Sequence, residues 1–551
     1  MNREVVLQHQ DVVVADGKII AVGSVHSVKV PKAAQRIDGR GKYLIPGLTD
    51  AHVHLLSTTE LPLYVAEGVT TVFNLDGRSA HLLWKKQVAE GKLLGPNIFT
   101  TGPIFLGAKT KEDAVKAVDD AAAAGYDGFK IYNPVSRDIY PAVADEVHKK
   151  NLLFIGHIAR GPDTEMTLNS GQSIAHMEEF TYTFFNPKHD SDDHNIVYDE
   201  SKIPELTKTV KISGVYVVPT IDTYRDIVHQ ATDVNDFLKT PALKYLSPWT
   251  LAGLQPDVNR YATGFKPADY DRIRTSLQFQ RKLIKAFQDA GVPLMTGTDS
   301  TNLGPVSGFS IHEELHEFVA SGVTPFQALQ AATVTPATYL RGADRFGTVE
   351  VGKHADLVLL NADPRANIDN TRNIAGVIAH GQWLDGAKIQ SILAALQTQY
   401  ASDLAEVTHD LQDDPEAAAT YIRDKDPFLR VTSEALVQIC AKKSPAELMS
   451  FFDYLGAKDP KSPILAEPSL NQLGYLFLGR GDTSKSIGVF RWNTERYPTS
   501  GNTYDSLGEA YAKAGDMMNA LASYSKALQV EPNYPNAEFA KRFVDEHARG
   551  K

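Results

Sequence analysis

The sequence predicts an α/β protein built on a (β/α)8 TIM-like barrel, followed by an all-α C-terminal region. Three observations carry this. Eight short apolar runs alternate with helical patterns between residues 48 and 299, the mark of parallel βα units. Six side chains able to bind a metal stand at or near the ends of those runs. Beyond about residue 390 the strand signals stop, and two segments repeat at a period of 34 residues, as from Leu473 to Leu507.

Taken in order, residues 1–45 alternate apolar and polar side chains and turn at Asp16-Gly17 and Asp38-Gly39, a strand and hairpin signature. The eight runs follow: LTDAHVH (48–54), VTTVFNL (69–75), NIFTTG (97–102), DGFKIY (127–132), LLFIGH (152–157), SIAHM (173–177), VYVVPT (215–220) and PLMTGTD (293–299). Eight is the number a closed parallel barrel needs. The stretch of about 220–292 is too long for one loop and helix, and an insertion at that end of a barrel usually forms a lid or specificity element. A second hairpin-like set returns within 346–390, in GTVEVGKHADLVLLNADP and IAGVIAHGQWLDG.

The chain has 551 residues, 43% of them apolar, and a net charge of −11. Its size suits several domains. Its acidity argues against nucleic acid as a partner, because phosphate binding needs clustered Lys and Arg. The single cysteine, Cys440, excludes an internal disulfide and a cysteine metal cluster. No apolar run reaches the length of a membrane span. As the chain stands it reads as cytoplasmic, with export open if a signal segment upstream of the abrupt start is missing.

His52 and His54 stand two apart, so on a strand both imidazoles point the same way. Lys130, His157, His176 and Asp299 each occur at a similar place in their own runs. Strand ends converge on one face of a parallel barrel, so these six meet in one pocket. Imidazole with carboxylate suits zinc or a similar divalent ion. The blander readings are core histidines, a Lys130–Asp127 salt bridge and a helix cap for Asp299. Tyr132 lies two residues past Lys130 and on the same side. Tyr132 and Tyr224 are candidate donors to a carbonyl oxygen as charge builds there, and Arg225 a candidate fork for a substrate carboxylate. Ordinary packing or a surface ion pair is the alternative for all three. HEELH at 312–316 matches a zinc-protease pattern, yet its place after the eighth run makes it a decoy, with His312 expected at the pocket mouth.

The order His-x-His, Lys, His, His, Asp on strand-like runs resembles the metal-dependent amidohydrolase superfamily, from about residue 11 to about 390. The nearest branch holds imidazolonepropionase-like proteins and carboxylated-lysine dipeptidases of the prolidase type. The resemblance implies a small β-sandwich from both flanks (1–45 and 346–390) beside a 46–345 barrel. It implies a carbon dioxide-derived carbamate on Lys130 bridging two divalent ions, zinc foremost. His52, His54 and Asp299 would hold one ion, and His157 and His176 the other. The implied activity is hydrolysis of an amide or peptide-type C–N bond, in a dipeptide or N-acyl amino acid, by a metal-bridging hydroxide, with Asp299 as proton carrier. Alternatives are a mononuclear cyclic-amide hydrolase or deaminase of the imidazolonepropionase type, and a lactone or ester hydrolase.

In the C-terminal region Leu507, Gly508, Tyr511, Ala520, Tyr524, Ala527 and Pro532 are preceded at the same offsets by Leu473, Gly474, Phe477, Ser486, Phe490, Asn493 and Pro498. This resembles the tetratricopeptide repeat. Residues 467–551 are expected to form such repeats, and 391–466 a helical linker or degenerate repeat. The repeats imply a homo-oligomer contact or a protein partner. A peptide-binding protein in which the barrel is secondary is the non-enzymatic reading.

Overall fold

The computed structural model describes residues 1, 3–25, 27–186, 188, 193–302 and 304–548. The chain divides into two compact units, Met1–Leu246 with Phe265–Leu396, and Ser247–Gly264 with Gln397–Lys551.

The first unit opens with an antiparallel hairpin of β1 (Gln10–Ala15) and β2 (Lys18–Ser24). Its two-residue turn, Asp16-Gly17, takes positive φ at both positions, 51° and 71°, which suits the twist of the flanking strands. β3 (Tyr43–Pro46) pairs with β11 (Leu357–Leu360), so the two flanks meet in one four-stranded sheet. That sheet continues through β12 (Ile374–Ala379) and β13 (Gln382–Asp385). Ile19, Ala355 and Leu357 are fully or almost fully buried in a core shared by hairpin and sheet.

Between the flanks run two parallel sheets. β4 (Leu48–Val53), β5 (Val69–Asn74) and β6 (Asn97–Thr100) form one. β7 (Gly128–Ile131), β8 (Leu153–Gly156), β9 (Ser173–Ala175) and β10 (Val217–Val218) form the other. Isolated parallel bridges join Thr101 to Gly128, Val217 to Leu294 and Val53 to Ser300. Most of these strand residues are buried, because helices cover a parallel sheet on its outer face. That is why they read as apolar runs rather than alternating ones.

The run 293–299 was expected as an eighth regular strand, and here the structure differs. Leu294 and Ser300 make bridges, but the residues between them form no ladder. Asp299 has φ +52°, and the amides of Thr298 and Asp299 both turn onto the carbonyl of His52 (3.2 and 2.7 Å). One residue in the left-handed region breaks the even spacing that a parallel ladder requires.

Helices α1 (Leu61–Ala66), α2 (Ser79–Ala89), α3 (Lys111–Ala124), α4 (Tyr140–Lys149) and α5 (Asp163–Asn169) follow β4 to β8 in turn. α6 (Glu178–Thr183) and α7 (Ile203–Ser213) follow β9, and α8 (Ile221–Phe237) follows β10. Of the long segment after β10, α9 (Pro248–Gly253) and α10 (Arg260–Gly264) belong to the second unit. α11 (Tyr270–Asp289), α12 (Ser310–Ala320), α13 (Pro325–Ala331) and α14 (Val334–Tyr339) complete the first. No helix of the described residues is long and apolar enough to cross a membrane.

α15 (Gly386–Asp413) leads to the rest of the all-helical second unit, which adds to α9 and α10 the helices α16 (Pro415–Asp424), α17 (Thr432–Ala441), α18 (Pro445–Lys458) and the five after them. Within this unit the Trp249 amide of α9 bonds the Arg430 carbonyl (3.3 Å). α19 (Glu467–Gly479) and α20 (Thr483–Arg496) are followed by α21 (Gly501–Lys513) and α22 (Met517–Val530), then by α23 (Ala537–Ala548). The starts of α19 and α21, and of α20 and α22, lie 34 residues apart (467 to 501, 483 to 517). Gly474 and Gly508 make room for the rings of Phe490 and Tyr524. A Cβ on Gly474 would meet Phe490 at 2.3 Å, whereas one on Gly508 meets Tyr524 at 3.1 Å. Gly474→Ala should therefore lower stability by about 1–3 kcal/mol through overpacking. Gly508→Ala should cost less, because the helix propensity gain of about 1 kcal/mol offsets a milder contact. Thermal unfolding of the full chain tests the ranking, and an equal or larger loss in Gly508→Ala contradicts it.

Candidate metal centre

The site is assembled where β4, β7, β8 and β9 end. His52 is fully buried, and its Nε2 lies 3.0 Å from Oδ1 of Asp299. His54 presents its own Nε2 to the same oxygen at 2.8 Å. The i, i+2 spacing on β4 thus brings both imidazoles to one point, as strand alternation requires. Asp299 is carried there by the turn just described. Its other oxygen, Oδ2, accepts from Asn302 at 2.9 Å. Beneath the pair, the buried Asp50 accepts the Thr298 hydroxyl (2.7 Å), the Thr298 amide (3.0 Å) and the His52 amide (3.3 Å). Gly297 permits this approach, since a Cβ there would come within 2.9 Å of the His52 amide nitrogen.

Lys130 sits inside β7 at 1% exposure, with Nζ 3.1 Å from Nε2 of His52. Asp127, the acid that a simple salt bridge would use, is bonded through both oxygens by Lys85 instead (2.7 and 2.6 Å). Burial pushes the Lys130 ammonium down to about 8, against the pull of Asp299, Asp76 and Glu179. A substantial fraction of the amine is then neutral near pH 8.

His157 follows β8, and its Nδ1 faces Oε1 of Glu179 at 2.8 Å. Oε2 of Glu179 is held by Arg160 at 2.6 Å, so the imidazole donates from Nδ1 to an anchored anion. His176 follows β9, with Nδ1 2.8 Å from the Thr220 hydroxyl. That hydroxyl gives its one proton to the Pro219 carbonyl (2.8 Å), so it accepts from the imidazole. Both rings are thereby fixed in the tautomer that leaves Nε2 with its lone pair, the form that ligates a metal. The ring of His176 lies 4.7 Å from that of His52 and 4.6 Å from that of His157. Burial holds His52 down at about 3 and also lowers His157 and His176, the latter well below the usual imidazole value. Burial would raise Asp299, but the His52 and His54 imidazoles outweigh it and hold the carboxyl well below the usual range.

Ligand-type atoms of His52, His176 and Asp299 all lie within 4.8 Å of one another. Asp299 Oδ1 and His52 Nδ1 are buried and without a hydrogen-bond partner, despite the two close imidazole nitrogens around the oxygen. A buried carboxylate oxygen with two imidazole nitrogens within 3.0 Å and no well-formed hydrogen bond is suited to a shared cation. The donor set therefore fits a divalent metal.

The remaining candidates fall in different places. Tyr132 sets its ring against His157 edge-on, with 4.3 Å between centroids. Tyr224 is buried beside Ser276, Tyr182 and Glu178, and burial raises its phenol well above the usual value. The Arg225 guanidinium is bonded to Asp226 (2.8 Å) and Glu313 (2.7 Å), and burial-opposed attraction to these acids raises it. His312 is buried against Thr371 (2.9 Å) and Glu67 (3.4 Å), and His316 pairs with Asp369 (3.1 Å). The four polar side chains of HEELH thus face different partners rather than one ion, Glu313 bonding Arg225 and Glu314 the Asp222 amide. Sequence reasoning missed Glu179, Arg160 and Thr220. The paired acids of HMEEF were a visible signal for the first; nothing local marks Thr220, whose role depends on a left-handed backbone (φ +49°).

The Amidohydrolase family profile matches residues 43–384. Adenine deaminase of Moorella thermoacetica (strain ATCC 39073 / JCM 9320) is 22% identical over 380 residues, covering 67% of this chain and 54% of that enzyme. Adenine deaminase of Paracoccus denitrificans (strain Pd 1222) is 31% identical over 137 residues, covering 22% and 23%. The chain thus spans between about a quarter and about half the length of these relatives. Bottromycin amidohydrolase has a TM-score of 0.57 at 23% identity, covering 71% of this chain and 86% of that one. A Xaa-Pro dipeptidase with bound methionine has a TM-score of 0.52 at 18% identity, covering 68% and 94%. At such identities the likeness shows the fold, of the TIM-barrel type.

Two substitutions separate ligands from their supports. His52→Ala should remove most bound metal while the fold survives, because one side chain on a large scaffold matters more to the ion than to the core. Glu179→Gln should weaken metal affinity by about 10–100-fold, the usual effect of losing a histidine's anchoring carboxylate. Titration against a competing chelator measures both, and wild-type affinity in either variant removes that residue from the site.

Proposed function

The chain belongs to the amidohydrolase family, and from that premise we propose that it is a metal-dependent hydrolase of an amide or peptide-type C–N bond. The observation that carries the reading is the convergence of His52 and His54 on one oxygen of Asp299, with Lys130 Nζ 3.1 Å from Nε2 of His52. In this reading the two parallel sheets and residues 294–300 close into one (β/α)8 barrel, supported by the bridges between them. The flanking hairpin and sheet form the β-sandwich, and α19–α22 are two tetratricopeptide-type repeats that serve an oligomer contact or a protein partner.

His52, His54 and Asp299 would hold one zinc ion and His157 and His176 a second, with Lys130 between them. The neutral Lys130 amine would attack the carbon of carbon dioxide, an N–C bond forming as one C=O π bond opens onto oxygen and the nitrogen's proton passes to water; the resulting carbamate is an anion suited to two cations. When bound, the metal supplies Lewis acidity to the scissile carbonyl and acidifies the attacking water. Asp299, whose Oδ2 is held by Asn302, would carry a proton from water to the leaving nitrogen. Tyr132, which follows β7 and sets its ring against His157, would donate to the developing oxyanion. A dipeptide or an N-acyl amino acid is the substrate class.

A second reading has one ion and an unmodified lysine, acting as a deaminase or cyclic-amide hydrolase. It is favoured by the single-ion group of His52, His176 and Asp299 and by the relatives named adenine deaminase.

Assay of the zinc-loaded protein on Xaa-Pro dipeptides, N-acyl amino acids, lactones and adenine decides between them. Turnover of the first two classes is expected. Lys130→Ala should lose more than about a hundredfold in activity, beyond the effect of an outer partner, with part restored by added formate. Turnover of adenine alone, with Lys130→Ala still active, promotes the second reading.

A further inference from the structure

Behind the ligand face lies a carboxyl pair that the site chemistry does not use. Asp222, in the first turn of α8, and Glu314, in α12, are both at 0% exposure. The Asp222 amide donates to Oε2 of Glu314 at 2.9 Å. Both oxygens of Asp222 and Oε1 of Glu314 have no hydrogen-bond partner. Two carboxylates cannot donate to one another, and two unpaired buried charges facing each other repel. One proton between them supplies the missing donor.

The charged groups around the pair do not supply a cation. On α8, Arg225 is committed to Asp226 and Glu313. On α12, Glu317 is paired with Arg281 of α11 (2.7 Å), and Glu313 also takes Arg372 (2.8 Å). From β4, Asp50 adds a further acid near Glu314. His229 acts on Asp226 rather than on the pair.

The same turn of α8 touches both ligand segments. Thr220, immediately before the helix, bonds His176 at Nδ1 (2.8 Å). Thr223 donates to the carbonyl of Thr298 at 2.6 Å, one residue before Asp299. We propose that Asp222 and Glu314 share a single proton, and that this proton is the clasp fixing the first turn of α8 and, through Thr220 and Thr223, the segments that carry His176 and Asp299. Both are positioning residues. The inference rests on the reading of His176 and Asp299 as metal ligands.

The sign follows from linkage. Burial and the repulsion between the two facing carboxyls hold the proton on the pair well above the usual carboxyl range. The closed turn therefore binds a proton that the opened turn releases, so rising pH favours opening until the held proton itself is lost near pH 8.

Hydrogen exchange of the 219–226 segment in the full chain, corrected for the intrinsic rate, tests this directly. Protection should fall by about tenfold per pH unit between pH 6 and 7, the slope of one proton, and level off near pH 8. The double variant Asp222→Asn with Glu314→Gln, which needs no shared proton, should show no such slope. A flat wild-type profile overturns the proposal even if the variant does not fold, and an equal slope in a folded variant also overturns it. Zinc retention against a chelator over the same range should decline in the wild type relative to the variant. If no zinc binds at all, the metal reading fails while the exchange result still decides the clasp. Parallel retention curves limit the pair to a local structural role and overturn its link to the ligands.

Discussion

The carbonyl of His52 accepts the amides of both Thr298 and Asp299, and the site depends on this doubled bond. It ties the first parallel strand to the last segment of the parallel array, residues nearly 250 apart in sequence. It also forces Asp299 to positive φ, which swings its carboxylate back over the strand it is bonded to. Asp50 supports the arrangement from below. Burial pushes its carboxyl up to about 7 even though two amides and a hydroxyl donate to it. Hydrogen bonds to a charged group contribute about 1.5–3 kcal/mol each, and losing this set would leave a buried acid with nothing to offset its desolvation.

The histidines divide into two mechanical kinds. His52 and His54 are aimed by strand alternation and by Asp299. His157 and His176 are aimed from outside, each by a partner that takes the Nδ1 proton. Burial favours the neutral ring at His52, His157 and His176, which is the form ligation requires. A centre of this kind is stiff because the supports are themselves bonded: Glu179 by Arg160, Thr220 by Pro219 and Asp299 by Asn302. Such preorganisation is what lets side chains rather than solvent decide where a proton goes.

Much of this was legible in the sequence. The apolar runs are visible because parallel strands are buried on both faces, and His-Val-His is visible because alternation is local. The gathering of six side chains followed from strand order. The expected regular eighth strand was not met, because the left-handed turn at Asp299 arises from a contact with His52 far away in sequence. Arg225 shows a similar limit. Its sequence offers a substrate fork, but its acidic partners are the next residue in α8 and one turn of α12, a juxtaposition only the fold creates. Thr220 and the Asp222–Glu314 pair are ordinary residues until α8 is placed. The 34-residue period of the C-terminal helices was readable because Gly474 and Gly508 answer to aromatic rings at a fixed offset.

The central claim is that these residues hold metal. X-ray absorption at the zinc edge of the fully loaded protein tests it most directly. With the proposed pair of zinc ions bound, nitrogen and oxygen ligands only, imidazole scattering and a metal–metal vector of about 3.5–4 Å are expected. Zinc spectra without imidazole scattering would contradict the site itself.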